Sequence, residues 1–298
     1  MSVHLSLPPA DHIESRIHYA PEIDIVYLKN PKAGCSSITK SLWLRIDELR
    51  GIRTFQGRVH SRKAAPFCQD LSGIAASGVE HFLAAEFFAV VRNPYARILS
   101  CYLDKIAKRQ RDAKIWIPFA DRFGLDRGAT PSFRRFLRLI TAEDPRTLNW
   151  HYCPQRVCLL HPLPLRMDFI GRLEEMDETA AFLRRHGVVL KAYTPHSTGA
   201  SDLIADYYGP KETALVREFY ALDFELYGYS EDPAVAAPVR PAFRDAGPRE
   251  ALATIVRKSR PSAPRRIAGY LRARAARFPA LRRLLPGRGA AHPAAAKR

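Results

Sequence analysis

A lysine followed by small and hydroxyl-bearing residues is the first feature of this sequence that could bind an anion. Lys32 precedes a run of five such residues, Ala33, Gly34, Cys35, Ser36 and Ser37. Small side chains let several backbone N–H groups approach one ligand, and the lysine adds a positive charge beside them. If a helix follows, the positive end of its dipole faces the same ligand. Residues 31–37, which begin with Pro31, therefore predict a phosphate or sulfate site, although an ordinary strand, turn and helix with a solvated lysine has the same local pattern.

A second candidate anion site extends from Arg92 to Ser100. Pro94 suits the first turn of a helix, where its missing N–H is not needed, so Arg92 is left at the carboxyl end of a strand. Open α/β sheets bind their ligands at that edge. Arg92 offers a fork of donors for a second phosphate, and Ser100, two turns into the helix, could reach the same anion. The alternative is an arginine that pairs locally with a carboxylate.

Each candidate site follows a short apolar run that predicts a buried strand. The first run contains Ile23 and residues 25–28, and Pro31 ends it because proline cannot donate to a strand ladder. The second run is Phe-Phe-Ala-Val-Val at residues 87–91. The carboxyl ends of both strands therefore carry the candidate anion-binding residues.

Helical patterns follow these strands. Ser36 or Ser37 is predicted to cap a helix that continues through Trp43. Further helices are predicted over residues 132–140, 179–186 and 211–220. Alternating strands and helices indicate an α/β fold in three layers around a central, mostly parallel sheet. A chain of 298 residues with 47% apolar content can bury a sizeable core.

The usual nucleotide-binding motif G-x-x-x-x-G-K-[ST] is absent from the sequence, because Lys32 precedes the glycine rather than following one. A kinase would also need a carboxylate at a strand end to hold magnesium, and residues 87–91 contain none. We therefore predict a site without a metal ion. A nucleotide-dependent small-molecule kinase with an atypical loop remains an alternative.

These segments resemble the carbohydrate sulfotransferases that use 3'-phosphoadenosine 5'-phosphosulfate, particularly the group containing the chondroitin and dermatan 4-O-sulfotransferases. In that family a P-K-x-x-x-[ST]-[ST] loop holds the 5'-phosphosulfate, and an R-[NED]-P-[FY]-x-R-[LI]-[LV]-S segment holds the 3'-phosphate. Here they correspond to residues 31–37 and 92–100, and three further segments follow in the family's order, at 149–158, 168–174 and 223–230. The resemblance implies a P-loop-like sulfotransferase architecture and sulfuryl transfer to a carbohydrate hydroxyl.

The resemblance also implies roles for single residues. Lys32 would stabilise the charge that develops on the leaving phosphate. A histidine between the two donor loops commonly takes the acceptor proton in related enzymes, and His60 occupies that interval, whereas His81 is predicted to pack in a helix ahead of the second strand. His151 is a candidate for orienting the acceptor or the donor, with packing as the alternative. His196 lies in a segment that would close over the nucleotide, and a role as a loop cap is equally open.

The positive charge is concentrated at the carboxyl-terminal end. The net charge is +17, yet residues 240–298 contain sixteen Lys and Arg against two acidic residues, which leaves the first 239 residues close to neutral. We predict a catalytic domain at 1–235 and a basic, partly helical tail rich in Pro, Arg and Ala at 236–298. Within this tail, residues 257–288 could lie on an anionic membrane surface, bind an acidic polysaccharide or remain solvated. No sequence-specific contact with nucleic acid is expected.

The sequence shows no recognisable signal peptide and no run of about 20 apolar residues. The expectation is a cytoplasmic enzyme, either free in the cytosol or peripheral on the inner membrane surface. Five cysteines without C-x-x-C or zinc spacing predict reduced thiols. A non-catalytic relative that binds glycans or membranes is the third function class, and the oligomeric state is left open.

Overall fold

Four strands form the sheet within the residues that this computed structural model describes, which are 16–59, 65–68, 70–108, 113–161, 165–194, 197–243 and 249–258. The strands are β1 (Ile17–Ala20), β2 (Ile25–Leu28), β3 (Glu86–Val91) and β4 (Phe169–Arg172). Their order is β1-β2-β3-β4; β1 is antiparallel to β2, and the other two pairs are parallel. The predicted α/β fold with a mostly parallel sheet is confirmed.

The helices of the described segments occupy the connections between the strands and the chain beyond β4. They are α1 (Cys35–Leu49), α2 (Leu71–Ser77), α3 (Val79–Ala84), α4 (Pro94–Cys101), α5 (Ala113–Arg122), α6 (Phe133–Thr141), α7 (Gln155–Leu159), α8 (Met176–Arg185), α9 (Ile204–Tyr207), α10 (Pro210–Phe219), α11 (Ala221–Tyr227) and α12 (Glu250–Lys258). A π-helical segment, Tyr102–Ile106, continues α4, and short 3-10 turns lie at Pro145–Thr147 and Leu173–Glu175. No helix in these segments is both long and apolar enough to cross a membrane.

Apolar side chains cover both faces of the sheet. Successive strand residues point to opposite faces, so β2 places Val26 and Leu28 in one cluster and Ile25 and Tyr27 in the other. The first cluster is completed by side chains of α4, α6 and α11, and the second by side chains of α1 and α8. Burial on both faces explains why the strands read as continuous apolar runs rather than alternating ones.

The predicted helices form with small shifts at their ends, but the predicted serine cap of the first helix is wrong. Helix α1 begins at Cys35, and its N-cap is Gly34 in the left-handed conformation, with φ 73° and no side-chain cap hydrogen bond. Ser37 already lies in the first turn. Its hydroxyl donates to the carbonyl of Tyr193 at 3.1 Å and accepts from the N–H of Tyr193 at 2.9 Å, so it joins α1 to the loop that carries Tyr193 instead of capping the helix.

The predicted tail is not entirely separate from the domain that contains the sheet, because part of it packs against that domain. Helix α12 contributes Leu252 and Val256 to the buried core, and both side chains are 0% exposed. Before it, Arg249 donates to the carbonyl of Leu83 at 2.7 Å and forms an ion pair with Asp168. The packed structure therefore includes described residues beyond 235, at 249–258. Residues 259–298, which include most of the predicted membrane-binding segment, lie outside the described residues.

Candidate active site

The carboxyl ends of β2 and β3 are joined by one buried amide. Gln155 Oε1 accepts from Asn30 Nδ2 at 2.8 Å and from the N–H of Arg92 at 2.9 Å, and its Nε2 donates to the carbonyl of Arg92 at 2.8 Å. Asn30 Nδ2 also donates to the carbonyl of Val90 at 3.0 Å. Asn30 follows β2 and Arg92 follows β3, so Gln155 fixes the starting points of the two predicted anion-binding segments relative to each other.

Asp223 in turn holds Gln155 in place. Its carboxylate accepts from the N–H of Gln155 at 2.6 Å and from the N–H of Arg156 at 2.9 Å, at the beginning of α7. Burial raises the pKa of Asp223, and the two backbone hydrogen bonds counteract that effect in part. The sequence placed Gln155 and Asp223 only within segments of family resemblance. Their supporting role follows from contacts between residues more than sixty positions apart, which the sequence pattern does not indicate.

Lys32 reaches the cavity from a constrained backbone position. Its φ of 69° is uncommon for a residue other than glycine. Its Nζ lies 2.9 Å from Asp104 Oδ2, with 8% and 12% of the two side chains exposed, and Lys105 Nζ lies 3.1 Å from the same oxygen. Burial alone would raise the pKa of Asp104, but the ion pairs and hydrogen bonds with the two lysines outweigh it and lower the pKa. Asp104 is therefore an ionised partner of Lys32.

Arg92 lies beside the lysine loop. One of its terminal nitrogens is 3.4 Å from the carbonyl of Lys32, and the other donates to Ser201 Oγ at 3.0 Å. Burial lowers the pKa of the Arg92 guanidinium below its ordinary value, while Glu174 acts in the opposite direction. Within the described part of the chain, Arg92 Nε is buried without a hydrogen-bond partner. This donor has capacity for a ligand.

Arg97 is a positioning residue that sequence reasoning left without a role. Its guanidinium donates to the carbonyls of Pro31 at 3.1 Å, Trp150 at 2.8 Å and Cys153 at 2.7 Å, and the residue is 1% exposed. One side chain therefore ties the lysine loop to the loop that carries Trp150. The second arginine of the R-N-P-Y-A-R segment was the available signal, but its partners could not be read from the sequence.

The predicted serines meet a long segment that follows α8. Ser37 joins Tyr193, as described above, and Ser41 Oγ accepts from the N–H of Lys191 at 2.8 Å. Further along, Ser100 Oγ and Thr198 Oγ1 are 3.0 Å apart. Residues 190–194 and 197–202 thus lie over both candidate anion sites and contribute side chains to the same cavity.

A cavity of ≈ 930 Å³ brings most of the predicted site residues together. They are Pro31, Lys32, Gly34, Cys35, Ser36, Ser37, Arg92, Ser100 and His151. Ala33 is fully buried instead, and His60 and His196 lie outside the described residues. The wall also includes Lys29, Asp104, Lys105 and Trp150. Among the described residues, no cluster of three or more His, Cys, Asp or Glu side chains could hold a metal ion.

The fold and the cavity define an α/β protein with a basic ligand cleft at the carboxyl edge of its parallel strands. Residues 15–230 match the family model described as the Sulfotransferase family, and the chain belongs to that family. No solved structure matches the chain.

Three curated relatives show where the sequence similarity lies. The chain is 26% identical to carbohydrate sulfotransferase 14 of Danio rerio over 223 residues, which cover 68% of this chain and 59% of that protein. It is 26% identical to carbohydrate sulfotransferase 9 of Homo sapiens over 251 residues, or 74% of this chain and 54% of that protein. It is 29% identical to carbohydrate sulfotransferase 12 of Xenopus laevis over 166 residues, or 48% and 39%. The chain thus spans less than two thirds of the length of each relative.

Proposed function

We propose that this protein transfers a sulfuryl group from 3'-phosphoadenosine 5'-phosphosulfate to a hydroxyl group of a carbohydrate. The observation that carries the proposal is the cavity that holds Lys32 and Arg92 at neighbouring strand ends in a chain of the sulfotransferase family. The similar proteins are named carbohydrate sulfotransferases, which supports a sugar as the acceptor.

The residues of the cavity suit a donor with two anionic ends. Residues 31–37 would act as a P-loop-like cradle, in which backbone N–H groups at the start of the 15-residue helix α1 bind the 5'-phosphosulfate. Arg92 has a buried nitrogen without a described partner, which fits the 3'-phosphate, and Ser100 lies in the same wall. Gly34 lets the cradle pack closely against Leu173, since a Cβ atom at position 34 would lie 3.0 Å from Leu173 Cδ1.

Lys32 would act on the leaving group. When the bond between sulfur and the bridging oxygen breaks, negative charge grows on that oxygen, and a nearby ammonium group stabilises it. Asp104 holds this ammonium in place before the donor binds, through the contact of 2.9 Å. By analogy with phosphoryl transfer, positioning and electrostatic stabilisation dominate the rate. A site without a metal ion stays a prediction from the sequence, and the EDTA in the assay below tests it. The assignment of His60 as the base stays a prediction from the sequence.

The test is a transfer assay with sulfur-labelled donor and a panel of desulfated polysaccharides, with EDTA present. We expect label on at least one carbohydrate from the wild-type protein. Label on a small hydroxylated metabolite or a lipid, with none on any carbohydrate, would show that the proposed acceptor class is wrong and that the proposed donor is right. A parallel reaction with labelled ATP and magnesium addresses the kinase alternative, because phosphate transfer in that arm alone would replace the proposal.

A further inference from the structure

His151 lies in the wall of the cavity, on the loop that precedes α7. Arg97 fixes this loop to the lysine loop, since its one guanidinium donates to the carbonyls of Trp150, Cys153 and Pro31. The first two of these carbonyls bracket His151 in the sequence. A buried side chain with three backbone partners therefore sets the position of the imidazole relative to the sulfuryl-binding loop.

Asn149 determines which nitrogen of His151 carries the proton. The backbone N–H of His151 donates to Asn149 Oδ1 at 3.1 Å, and a backbone N–H requires an acceptor, so this side-chain atom is the oxygen. His151 Nδ1 lies 2.8 Å from the same oxygen and must therefore donate to it. In a neutral imidazole with a protonated Nδ1, Nε2 carries the lone pair. The structure thus presents His151 with Nε2 as a proton acceptor.

The charges around His151 keep it in this neutral form. Burial, and after it the positive charges nearby, holds the pKa of His151 well below its ordinary value of 6.5. Those charges belong to Lys105, Lys32, Lys29 and Arg97. The cavity wall also carries Arg16, Lys114 and Asp104, and Asp104 is already paired with two of the lysines. At neutral pH the imidazole is therefore neutral, with its one proton on Nδ1, in a cavity lined by cations.

The other described histidines lie elsewhere. Of the five that the structure describes, His151 is the one in the cavity wall. His81 forms an ion pair with Asp24 at 3.0 Å, and Asp24 immediately precedes β2, at the end of the strand opposite to the lysine loop. His186 Nδ1 is 3.0 Å from the carbonyl of Ile23, also ahead of β2. Neither can reach a hydroxyl group placed beside Lys32.

We propose that Nε2 of His151 removes the proton from the acceptor hydroxyl and that Asn149 is the positioning residue for this step. The inference rests on the proposed function. The hydroxyl oxygen forms the new bond to sulfur while the bond from sulfur to the bridging oxygen breaks. The electron pair of the broken bond stays on the leaving phosphate, the hydroxyl proton goes to Nε2 and then to solvent, and no atom changes its oxidation state.

Donor binding strengthens this base. The donor brings negative charge into a cavity where four cations oppose protonation of His151, and opposite charges nearby favour the imidazolium form. The pKa of His151 therefore rises when the nucleotide binds, toward the range in which a general base is most effective. The base gains strength when a donor is present to react.

The kinetic test compares His151→Gln and His151→Ala with wild type in the labelled-sulfate transfer assay at saturating donor. We expect kcat to fall roughly 100- to 10,000-fold, the range for loss of a general base, while the Kd of adenosine 3',5'-bisphosphate changes by less than about threefold. Added imidazole should restore part of the activity of His151→Ala. His81→Ala, whose residue lies at the opposite strand end, is the matched control and should retain wild-type kcat and melting temperature.

His60→Ala provides the competing outcome. If His151→Gln retains kcat within about threefold of wild type, the proposal is overturned. If the variants at both positions are slow, rescue by imidazole decides between them, and rescue of His60→Ala in place of His151→Ala overturns it. A melting temperature for each variant separates loss of folding from loss of the base, and the conservative His151→Gln keeps the comparison open if His151→Ala does not fold.

A second readout does not need transfer activity. NMR of ¹⁵N-labelled imidazole in the full chain reports the tautomer and the pKa of His151, with and without adenosine 3',5'-bisphosphate. We expect protonated Nδ1, loss of that preference in Asn149→Ala, and a higher pKa with the nucleotide. A proton on Nε2, or a pKa that the bound nucleotide does not move, overturns the inference even where transfer occurs. If the wild type transfers no label, the proposed function fails in the first assay, and the NMR result still decides whether the nucleotide is coupled to His151.

Discussion

Asp104 gives Lys32 a partner before any donor arrives. The two side chains are 2.9 Å apart and largely buried, and Asp104 lies on a π-helical segment that continues α4, the helix of the second candidate anion-binding segment. Such segments are frequent at functional sites because they displace side chains from regular helical positions. Asp104 orients the ammonium group, but it also competes with the donor for it. Substitutions of Lys32 and of Asp104 measure these two effects separately.

Lys32→Ala tests the lysine. We expect kcat for sulfuryl transfer to fall about 100- to 1,000-fold, the cost of losing one stabiliser of developing charge. The Kd of the donor should change much less, because the backbone cradle and Arg92 remain. Steady-state kinetics with labelled donor give kcat, and calorimetry gives Kd. Lys211→Ala, at an exposed lysine of α10, is the control for loss of a positive charge. An unaltered kcat in Lys32→Ala would contradict the role of Lys32.

Asp104→Asn tests the carboxylate in two ways. Removal of the competing negative charge should tighten donor binding. It should also change how stability depends on pH, because the ion pairs lower the pKa of Asp104 below its ordinary 3.8. A carboxyl group whose pKa is lower in the folded than in the unfolded protein stabilises the fold at pH values above its unfolded pKa. This contribution is lost as the pH falls through the folded pKa.

Thermal melts of wild type and Asp104→Asn between about pH 2 and pH 7 measure the second effect. The wild type should melt at the higher temperature near neutral pH, and the difference should shrink below pH 3.8. Weaker donor binding in the variant would show that Asp104 supports the donor instead of competing with it.

At the scale of elements, the start of α1 depends on one glycine. Gly34 is the N-cap with φ 73°, where a side chain costs about 1–2 kcal/mol, and a Cβ there would be 3.0 Å from Leu173 Cδ1. Gly34→Ala should therefore lower the melting temperature and weaken donor binding. Isothermal titration with adenosine 3',5'-bisphosphate measures the second effect.

The other end of the same helix supplies the matched control. Gly51 follows α1 and has φ 62°, and a Cβ atom added there would have no described atom within 4 Å. Gly51→Ala introduces a similar backbone strain about 20 Å away, judged from the rise of a 15-residue helix. We expect it to lower stability while leaving donor binding unchanged. Equal loss of donor affinity in both variants would mean that the effect comes from helix stability and not from the cradle.

At the scale of the whole molecule, residues 236–243 and 249–258 belong to the packed body. Arg249 is 7% exposed, pairs with Asp168 and lies 3.8 Å from the centre of the Phe87 ring, which is in β3. Gly228 also contacts this region, because its carbonyl accepts from the N–H of Val239 at 2.8 Å. The sheet is therefore covered in part by chain that lies beyond the predicted domain boundary.

A pair of truncations tests this dependence. A chain that ends at residue 235 loses Arg249, Leu252 and Val256, and it leaves the Asp168 carboxylate without this arginine. Asp168 keeps its ion pair with Arg166 at 2.8 Å, so the larger loss is the burial of Leu252 and Val256, worth about 1.5–3 kcal/mol for each side chain. The melting temperature of this chain should therefore be clearly lower than that of a chain ending at 258. Equal melting temperatures by calorimetry would support the boundary at 235. Membrane attachment through residues 257–288 and a cytoplasmic location stay predictions from the sequence.

The sequence by itself determined the order of the elements and the positions of both candidate anion-binding segments. A continuous apolar run, a proline and a row of small residues are local signals, and each depends on neighbours only a few positions away. The predicted strands, the helices at 132–140 and 211–220 and the lysine loop could be located for this reason. The serine cap was the local exception, because Gly34 takes the left-handed position and the Ser37 hydroxyl bonds to Tyr193.

Only the tertiary structure decided which groups meet. Lys32 and Asp104 are 72 positions apart, and Asn30 and Gln155 are 125 apart, so no periodicity or motif spacing could pair them. Arg97 anchors the loops on both sides of the cavity through backbone carbonyls, which every residue possesses and no sequence pattern distinguishes. The contact between His151 Nδ1 and Asn149 Oδ1 spans only two positions, but it forms on a loop that Arg97 holds from 53 positions before Trp150. The sequence specified which chemical groups are available, and long-range packing specified the charge, the partner and the orientation of each.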